Sequence, residues 1–126
     1  MTKDIQLDIW LRGDNHATTG VIPSAAREPQ AWTDADVSAF LADMLRAIER
    51  ARNPAAEQDR PVALRGFSWI VNPFESGGVV IALELSLGAV VAGPFDIAEQ
   101  DLTPRIQRVI NAERAALSKQ ASATIH

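Results

Sequence analysis

Residues 77–93 read GGVVIALELSLGAVVAG and form the most apolar run of the chain. The run carries one charge, Glu84, and is shorter than the roughly 20 apolar residues that a membrane-spanning helix needs. Glycine and β-branched valine near both ends weaken a helix, and Leu87-Gly88 has the composition of a tight turn or a bulge. We therefore predict two strands, 79–87 and 89–95, with one long bulged strand as the alternative.

Glu84 lies in the middle of the first of these strands, and the alternation of side chains along the strand predicts which face of the sheet it occupies. The large aliphatic residues occupy one alternating set, and Glu84 belongs to the other set, which is smaller and more polar. A hairpin with residues 62–71 places Gly66 or a neighbour opposite Glu84 on the outer side. A charge on the outer side is ordinary for an antiparallel sheet that has helices on one face only. We therefore predict a solvated Glu84 rather than a working carboxylate.

Two helices are predicted from apolar periodicity and from their start signals. Thr33 has the pattern of an N-cap, and apolar residues then recur every three or four positions until just before Asn53-Pro54. Thr103 followed by Pro104 at the first helical position predicts the start of a second helix. The apolar stripe of this helix ends at about residues 117–119.

The remaining segments complete the predicted fold. Residues 4–12 alternate apolar and polar side chains, and residues 62–71 are rich in aromatic and branched ones, so both are predicted strands. Residues 13–32 show no periodicity and predict a long loop, and residues 120–126 are expected to fray. We predict a single α+β domain over residues 1–126. It is a two-layer sandwich with a four-stranded, mainly antiparallel sheet, two helices on one face, and the order β-α-β-β-β-α.

Composition limits the classes of partner and of chemistry. The chain has 126 residues, a net charge of −4, a pI near 5.1 and no cysteine. This charge balance lacks the basic stripe that nucleic acids or anionic lipids attract, so we predict no nucleic-acid partner and no membrane partner. The first residues contain no apolar core of a signal peptide, which predicts a cytoplasmic protein. Arg far outnumbers Lys among the 12 cations, a bias typical of a GC-rich bacterial genome.

His16 and Asp14 are the candidate catalytic residues. They belong to the polar run GDNHATTG, residues 13–20, which follows directly on a predicted strand end. In this hypothesis His16 is a general base that Asp14 orients. The competing interpretation is a solvated loop made of ordinary turn formers, and we prefer it because no third positioning group is evident.

Trp10, Arg105 and Arg108 are the candidate binding residues. Trp10 lies on the polar side of the first strand, where it either anchors a partner or is covered by the 13–32 loop. Arg105 and Arg108 follow the predicted start of the second helix and are candidates for binding an anion or an acidic partner. The competing interpretation of both arginines is a solvated helix face.

The sequence contains none of the strong motifs for phosphate-binding loops, dinucleotide folds or zinc proteases, and we predict no cofactor and no metal site. The apolar strand material between residues 62 and 95 exceeds what two helices can cover. We therefore predict a noncatalytic protein-interaction or regulatory module, with homodimerisation as the simplest form. The alternative is a small enzyme or ligand-binding protein whose site lies at the 13–32 loop and uses His16 and Asp14.

Overall fold

The computed structural model describes residues 4–23, 28–53, 64, 66–73, 77–86 and 88–124. These residues form five strands, a short 3-10 turn (Pro29–Ala31) and two helices. The elements are β1 (Asp4–Leu11), β2 (Thr18–Pro23), α1 (Asp34–Arg52), β3 (Ser68–Pro73), β4 (Val79–Leu85), β5 (Gly88–Phe95) and α2 (Glu99–Thr124).

The five strands form one antiparallel sheet with the order β2-β1-β5-β4-β3. The α+β class and the antiparallel sheet are therefore confirmed, but the predictions of four strands and of the order β-α-β-β-β-α were wrong. The missing strand is β2, which lies inside the segment 13–32 that was predicted as a long loop. The chain order is β-β-α-β-β-β-α.

The central hairpin is formed by the apolar run of residues 77–93. β4 and β5 pair from Leu85↔Gly88 onward, so the run is two strands joined by a tight turn, as predicted. Glu84 is exposed, as predicted. Its cross-strand partner on β3 is Ser68, and the predicted partner was Gly66 or a neighbour of it. The strand β3 begins at Ser68, later than predicted, and residues 62, 63 and 65 of the predicted strand lie outside the described residues.

The helix α1 follows its sequence signals closely. The Thr33 side chain accepts a hydrogen bond from the Asp36 amide at 3.1 Å, and the Asp36 carboxylate accepts one from the Thr33 amide at 3.0 Å. This reciprocal pair is a capping box, which satisfies amides that have no partner within the helix. The helix ends at Arg52, before the predicted Asn53-Pro54 boundary, and buries a stripe of seven residues against the sheet, namely Val37, Phe40, Leu41, Met44, Leu45, Ala47 and Ile48.

The helix α2 is longer than predicted at both ends. The amides of Asp101 and Leu102 donate to the Ala98 carbonyl, so the first turn forms before Pro104, and this proline lies inside the helix. The buried Leu102 packs this first turn against the core, and the helix therefore begins before the proline. The tail that was predicted to fray is helical as far as Thr124, and residues 125–126 lie outside the described residues.

Both helices contribute to one layer that covers one face of the sheet. The helix α1 contacts β1, β2 and β5, α2 contacts β3, and the two helices contact each other. The buried apolar residues form one cluster, in which the rings of Trp32, Phe40 and Phe95 lie 5.2–5.5 Å apart. The opposite face of the sheet has no covering layer among the described residues.

Candidate functional site

The uncovered side of the sheet is the candidate site, and we call it the open face. Alternation places every second strand residue on it, because successive side chains of a strand point to opposite sides. Its members in β1 to β5 are Gln6, Asp8, Trp10, Thr19, Val21, Ser68, Ile70, Asn72, Val80, Ala82, Glu84, Ala89 and Val91. Three of these are large apolar side chains with high exposure: Trp10 at 41%, Val21 at 49% and Ile70 at 51%.

The strand register aligns the open-face residues in rows that cross the sheet. One row is continuous over all five strands and consists of Thr19, Asp8, Val91, Ala82 and Ile70. The next row runs from β1 to β3 through Trp10, Ala89, Glu84 and Ser68. Apart from Glu84, the open-face side chains of β5 and β4 are therefore small and apolar, and the larger apolar side chains of Trp10 and Ile70 stand on the strands beside them.

These sizes give the open face the shape of a shallow trough. Val80, Ala82, Ala89 and Val91 are all partly buried and form its floor along β4 and β5. Trp10 on β1 and Ile70 on β3 stand on opposite sides of the floor. Trp10 was predicted from the sequence as a binding residue, but Ile70 was not. The alternation within residues 62–71 and the predicted hairpin would have placed Ile70 on the outer side.

The charges of the open face are acidic. Asp8 and Glu84 are both exposed, and no ion pair joins either carboxylate to a described cation. Arg12 lies at the rim, where its Nε donates to the Ser86 carbonyl at 2.9 Å. Arg12 and Glu84 both line a depression of about 380 Å³, together with residues 66–68 and 85–86.

Asp14 and His16 lie in the short loop that joins β1 to β2. Both side chains are exposed, and the Asp14 amide donates to the Leu11 carbonyl at 3.0 Å, which closes a turn. No hydrogen bond joins the two side chains. Neither residue lines the depression beside Arg12 or a second depression of about 480 Å³ at the start of α2.

Arg105 and Arg108 bind the segment that precedes α1. Arg108 donates to both carboxylate oxygens of Asp34, at 2.9 and 3.1 Å, and Arg105 donates to the Pro29 carbonyl at 3.3 Å. The arginines therefore join the first part of α2 to residues 29–34. A bidentate guanidinium–carboxylate pair of this kind fixes the relative orientation of the two side chains as well as their separation.

The Asp34–Arg108 pair shifts the pKa of both groups. The hydrogen bonds from Arg108 are the largest cause of the lowered pKa of Asp34, and the charges of Arg108 and Arg105 add to it, against a smaller effect of desolvation. The same hydrogen bonds raise the pKa of Arg108. The charged forms of both groups are thus favoured in the folded protein.

The Asp34→Asn variant is expected to be less heat-stable than the parent protein near neutral pH, by no more than about 4 °C because both partners are more than half exposed. A lowered carboxyl pKa contributes stability above the unfolded value of about 4, and this contribution is lost as the pH falls through the folded value. The difference in Tm should therefore shrink as the pH is lowered below about 4, through the lowered folded value. Thermal unfolding of the Asp34→Asn, Arg108→Gln and double variants checks this. A difference that the Arg108→Gln background leaves unchanged would show that Asp34 acts only through the helix start.

Comparisons with known proteins were made by sequence and by fold. No family model, curated protein or solved structure matches this chain. Within the described part of the chain, no group of three or more His, Cys, Asp or Glu side chains could hold a metal ion, and no helix is long and apolar enough to cross a membrane. Of the surfaces described, the open face combines exposed large apolar side chains with a defined charge pattern.

Proposed function

We propose that the protein is a noncatalytic protein-interaction or regulatory module and that the open face is its docking surface. The observation that carries the proposal is a five-stranded sheet whose second face exposes Trp10, Val21 and Ile70. Trp10 and Ile70 adjoin the apolar floor of β4 and β5, and an exposed apolar surface rimmed by polar residues is typical of a site of association. Tryptophan in particular contributes a large contact area for little loss of side-chain freedom.

The size of the open face supports a transient rather than a permanent association. Five strands about 4.8 Å apart, each contributing about seven residues of 3.3 Å rise, give a projected area of roughly 550 Å². A standard stable interface buries about 800 Å² on each partner. A contact confined to this face therefore belongs to the small, reversible class, which suits a regulatory module.

The alternative function is an enzyme or a ligand-binding protein that uses His16 and Asp14. Both side chains are exposed in the β1–β2 loop, and neither lines the two depressions described above. A general base must lie within hydrogen-bond reach of a bound substrate, and a preorganised site needs groups that hold it in place. We therefore favour the interaction module.

Site-specific photocrosslinking in cells of the source organism tests the proposal. A photoreactive amino acid replaces Ile70 in one variant and Ala112, which is exposed on α2, in the control variant. We expect a discrete crosslinked protein at position 70 that the control does not give, because the partner covers the open face and leaves the outer side of α2 free. The same product should form when the reactive group replaces Trp10.

Two results would contradict the proposed function. Equal crosslinking from positions 70 and 112 would indicate random collision rather than docking. A specific product from a reactive group at His16, with none from position 70, would move the site to the β1–β2 loop and favour the ligand-binding alternative. Circular dichroism of each purified variant checks that the fold is retained.

A further inference from the structure

The trough has the width of one α-helix. β1 and β3 are separated by β5 and β4, which makes three strand spacings, or about 14 Å between the two backbones. A helix with its side chains is about 10–12 Å across. The strands that form the floor are seven and eight residues long, so they offer about 25 Å of length, the length of a helix of roughly 16 residues.

The floor also has the composition that a helix needs. Its four side chains are Ala or Val, so a helix axis can approach the sheet closely, while Trp10 and Ile70 are positioned to contact its flanks. The buried side of the same sheet already packs α1 against β1, β2 and β5. A helix lying on a sheet satisfies its own backbone hydrogen bonds, so this mode of docking requires no free strand edge.

Asp8 and Glu84 define the charge of the occupant. Asp8 stands beside the floor on β1, paired with Val91, whereas Glu84 lies on the floor strand β4, beyond Ala82 and paired with Ala89. A partner that covers the floor removes water from both carboxylates, and a desolvated carboxylate is costly unless a cation or hydrogen-bond donor faces it. Arg12 at the rim is already engaged by the Ser86 carbonyl through its Nε. Arg12 is one cation beside two carboxylates and forms an ion pair with neither, so a partner that covers the face must supply further cations or donors.

We infer that the occupant of the open face is an amphipathic helix of a partner protein, with basic side chains beside its apolar stripe. This inference rests on the proposed function and specifies its partner. Leu, Ile, Met or Phe side chains of the helix contact Ala82, Val91 and Ile70. One Lys or Arg side chain on the flank above β1 faces Asp8, and another at the end of the floor faces Glu84.

A second copy of the chain fits the open face less well. Pairing two open faces brings together two copies of Asp8 and two copies of Glu84 around one apolar contact, with only Arg12 at each rim to offset them. Charges of one sign that are enclosed together oppose association. The predicted homodimer is therefore treated as a competing outcome of the test.

The test selects peptides from a display library of random 18-residue sequences on the full-length protein. Selected peptides are then measured against the parent, Ile70→Asp, and the double variant Asp8→Asn/Glu84→Gln. We expect the selected peptides to carry net positive charge, to repeat apolar residues every three or four positions, and to become helical on binding. Binding should be lost with Ile70→Asp and weakened about tenfold or more by the double variant, with a smaller dependence on salt.

Other outcomes separate the occupant from the docking surface. Selected peptides that require Ile70 but are acidic, or alternate apolar residues with period two, would overturn the helical basic occupant and leave the open face as the docking surface. Concentration-dependent dimerisation that Ile70→Asp abolishes, seen by sedimentation, would do the same in favour of a second copy. Peptides that bind Ile70→Asp as well as the parent would overturn both proposals. So would a failure to select any peptide from a protein that stays monomeric.

Discussion

The Gly88→Ala variant is expected to lose at least about 3 kcal/mol of its free energy of unfolding. Gly88 has a φ of +147°, which L side chains rarely adopt, and a Cβ atom at this position would collide with the Trp10 carbonyl oxygen. The same Cβ would lie 2.9 Å from the Leu11 Cα atom. Because Gly88 pairs with Leu11 on one side and with Leu85 on the other, neither neighbouring strand can retreat without breaking its pairing.

Gly13→Ala is the matched control for this prediction. Gly13 also has a positive φ, of +93°, but a Cβ atom there has no neighbour within 4 Å. Its cost should therefore be that of the backbone conformation alone, about 1 kcal/mol. Urea denaturation of both variants measures the difference. Equal losses at the two positions would mean that β1 and β5 separate readily and that the close approach at Gly88 adds nothing.

The Phe95→Ala variant is expected to lose about 3–5 kcal/mol, the second large effect. The Phe95 ring contacts both other rings of the aromatic cluster, at centroid distances of 5.2 Å to Trp32 and 5.2 Å to Phe40. Through these contacts it joins the end of β5 to α1 and to the segment before α1. Removing the ring leaves a cavity among elements that are held from several sides, so the neighbours cannot collapse fully into it.

Phe95→Leu and Ile70→Ala provide the comparisons for Phe95→Ala. Phe95→Leu keeps most of the volume and should cost about 1–2 kcal/mol. Ile70→Ala removes an aliphatic side chain that is half exposed on the open face, and should cost less than about 1 kcal/mol. Midpoints of urea unfolding give all three values, provided that the slopes agree. If Phe95→Ala cost no more than Ile70→Ala, the aromatic cluster would not be part of the stabilising core.

The elements that the sequence predicted are those with a strong periodic signal. α1 has a capping residue, a first-turn acid and an apolar stripe that all agree, and β4 and β5 have a long apolar run divided by Gly88. The direction of Glu84 followed from alternation alone. In each case several local signals favoured one structure, and the tertiary fold did not override them.

β2 escaped prediction because it has almost no apolar alternation. Its side that faces the core contains Ile22 and Gly20, and a Cβ on Gly20 would lie 3.0 Å from the Cδ1 atom of Ile9. A side chain at this position would therefore need the end of Ile9 to shift, a contact with β1 that no local pattern reveals. The predicted start of α2 was too late for a similar reason. Pro104 is a start signal, but burial of Leu102 extends the helix before it.

The candidate site was predictable in part. Alternation placed Trp10 on the polar side of β1, and that is where it lies. The trough depends on β4 and β5 lying between β1 and β3, and sheet order is set by long-range pairing that periodicity does not encode. The assignment of partners to Arg105 and Arg108 likewise required the three-dimensional position of residues 29–34.

The position of β1 in the sheet has a consequence for how the chain is made. β1 pairs with its neighbour in sequence, β2, but also with β5 from the far end, as in Leu7↔Ala92 and Leu11↔Gly88. During synthesis from the amino terminus, the first hairpin therefore emerges with one edge unpaired and waits until nearly the whole sheet has followed. Pairings so distant in sequence are slow to form, because loop-closure entropy is lost before they contribute stability. The nascent chain thus carries an unprotected strand edge until β5 has been synthesised, the stage at which chaperones have most to protect.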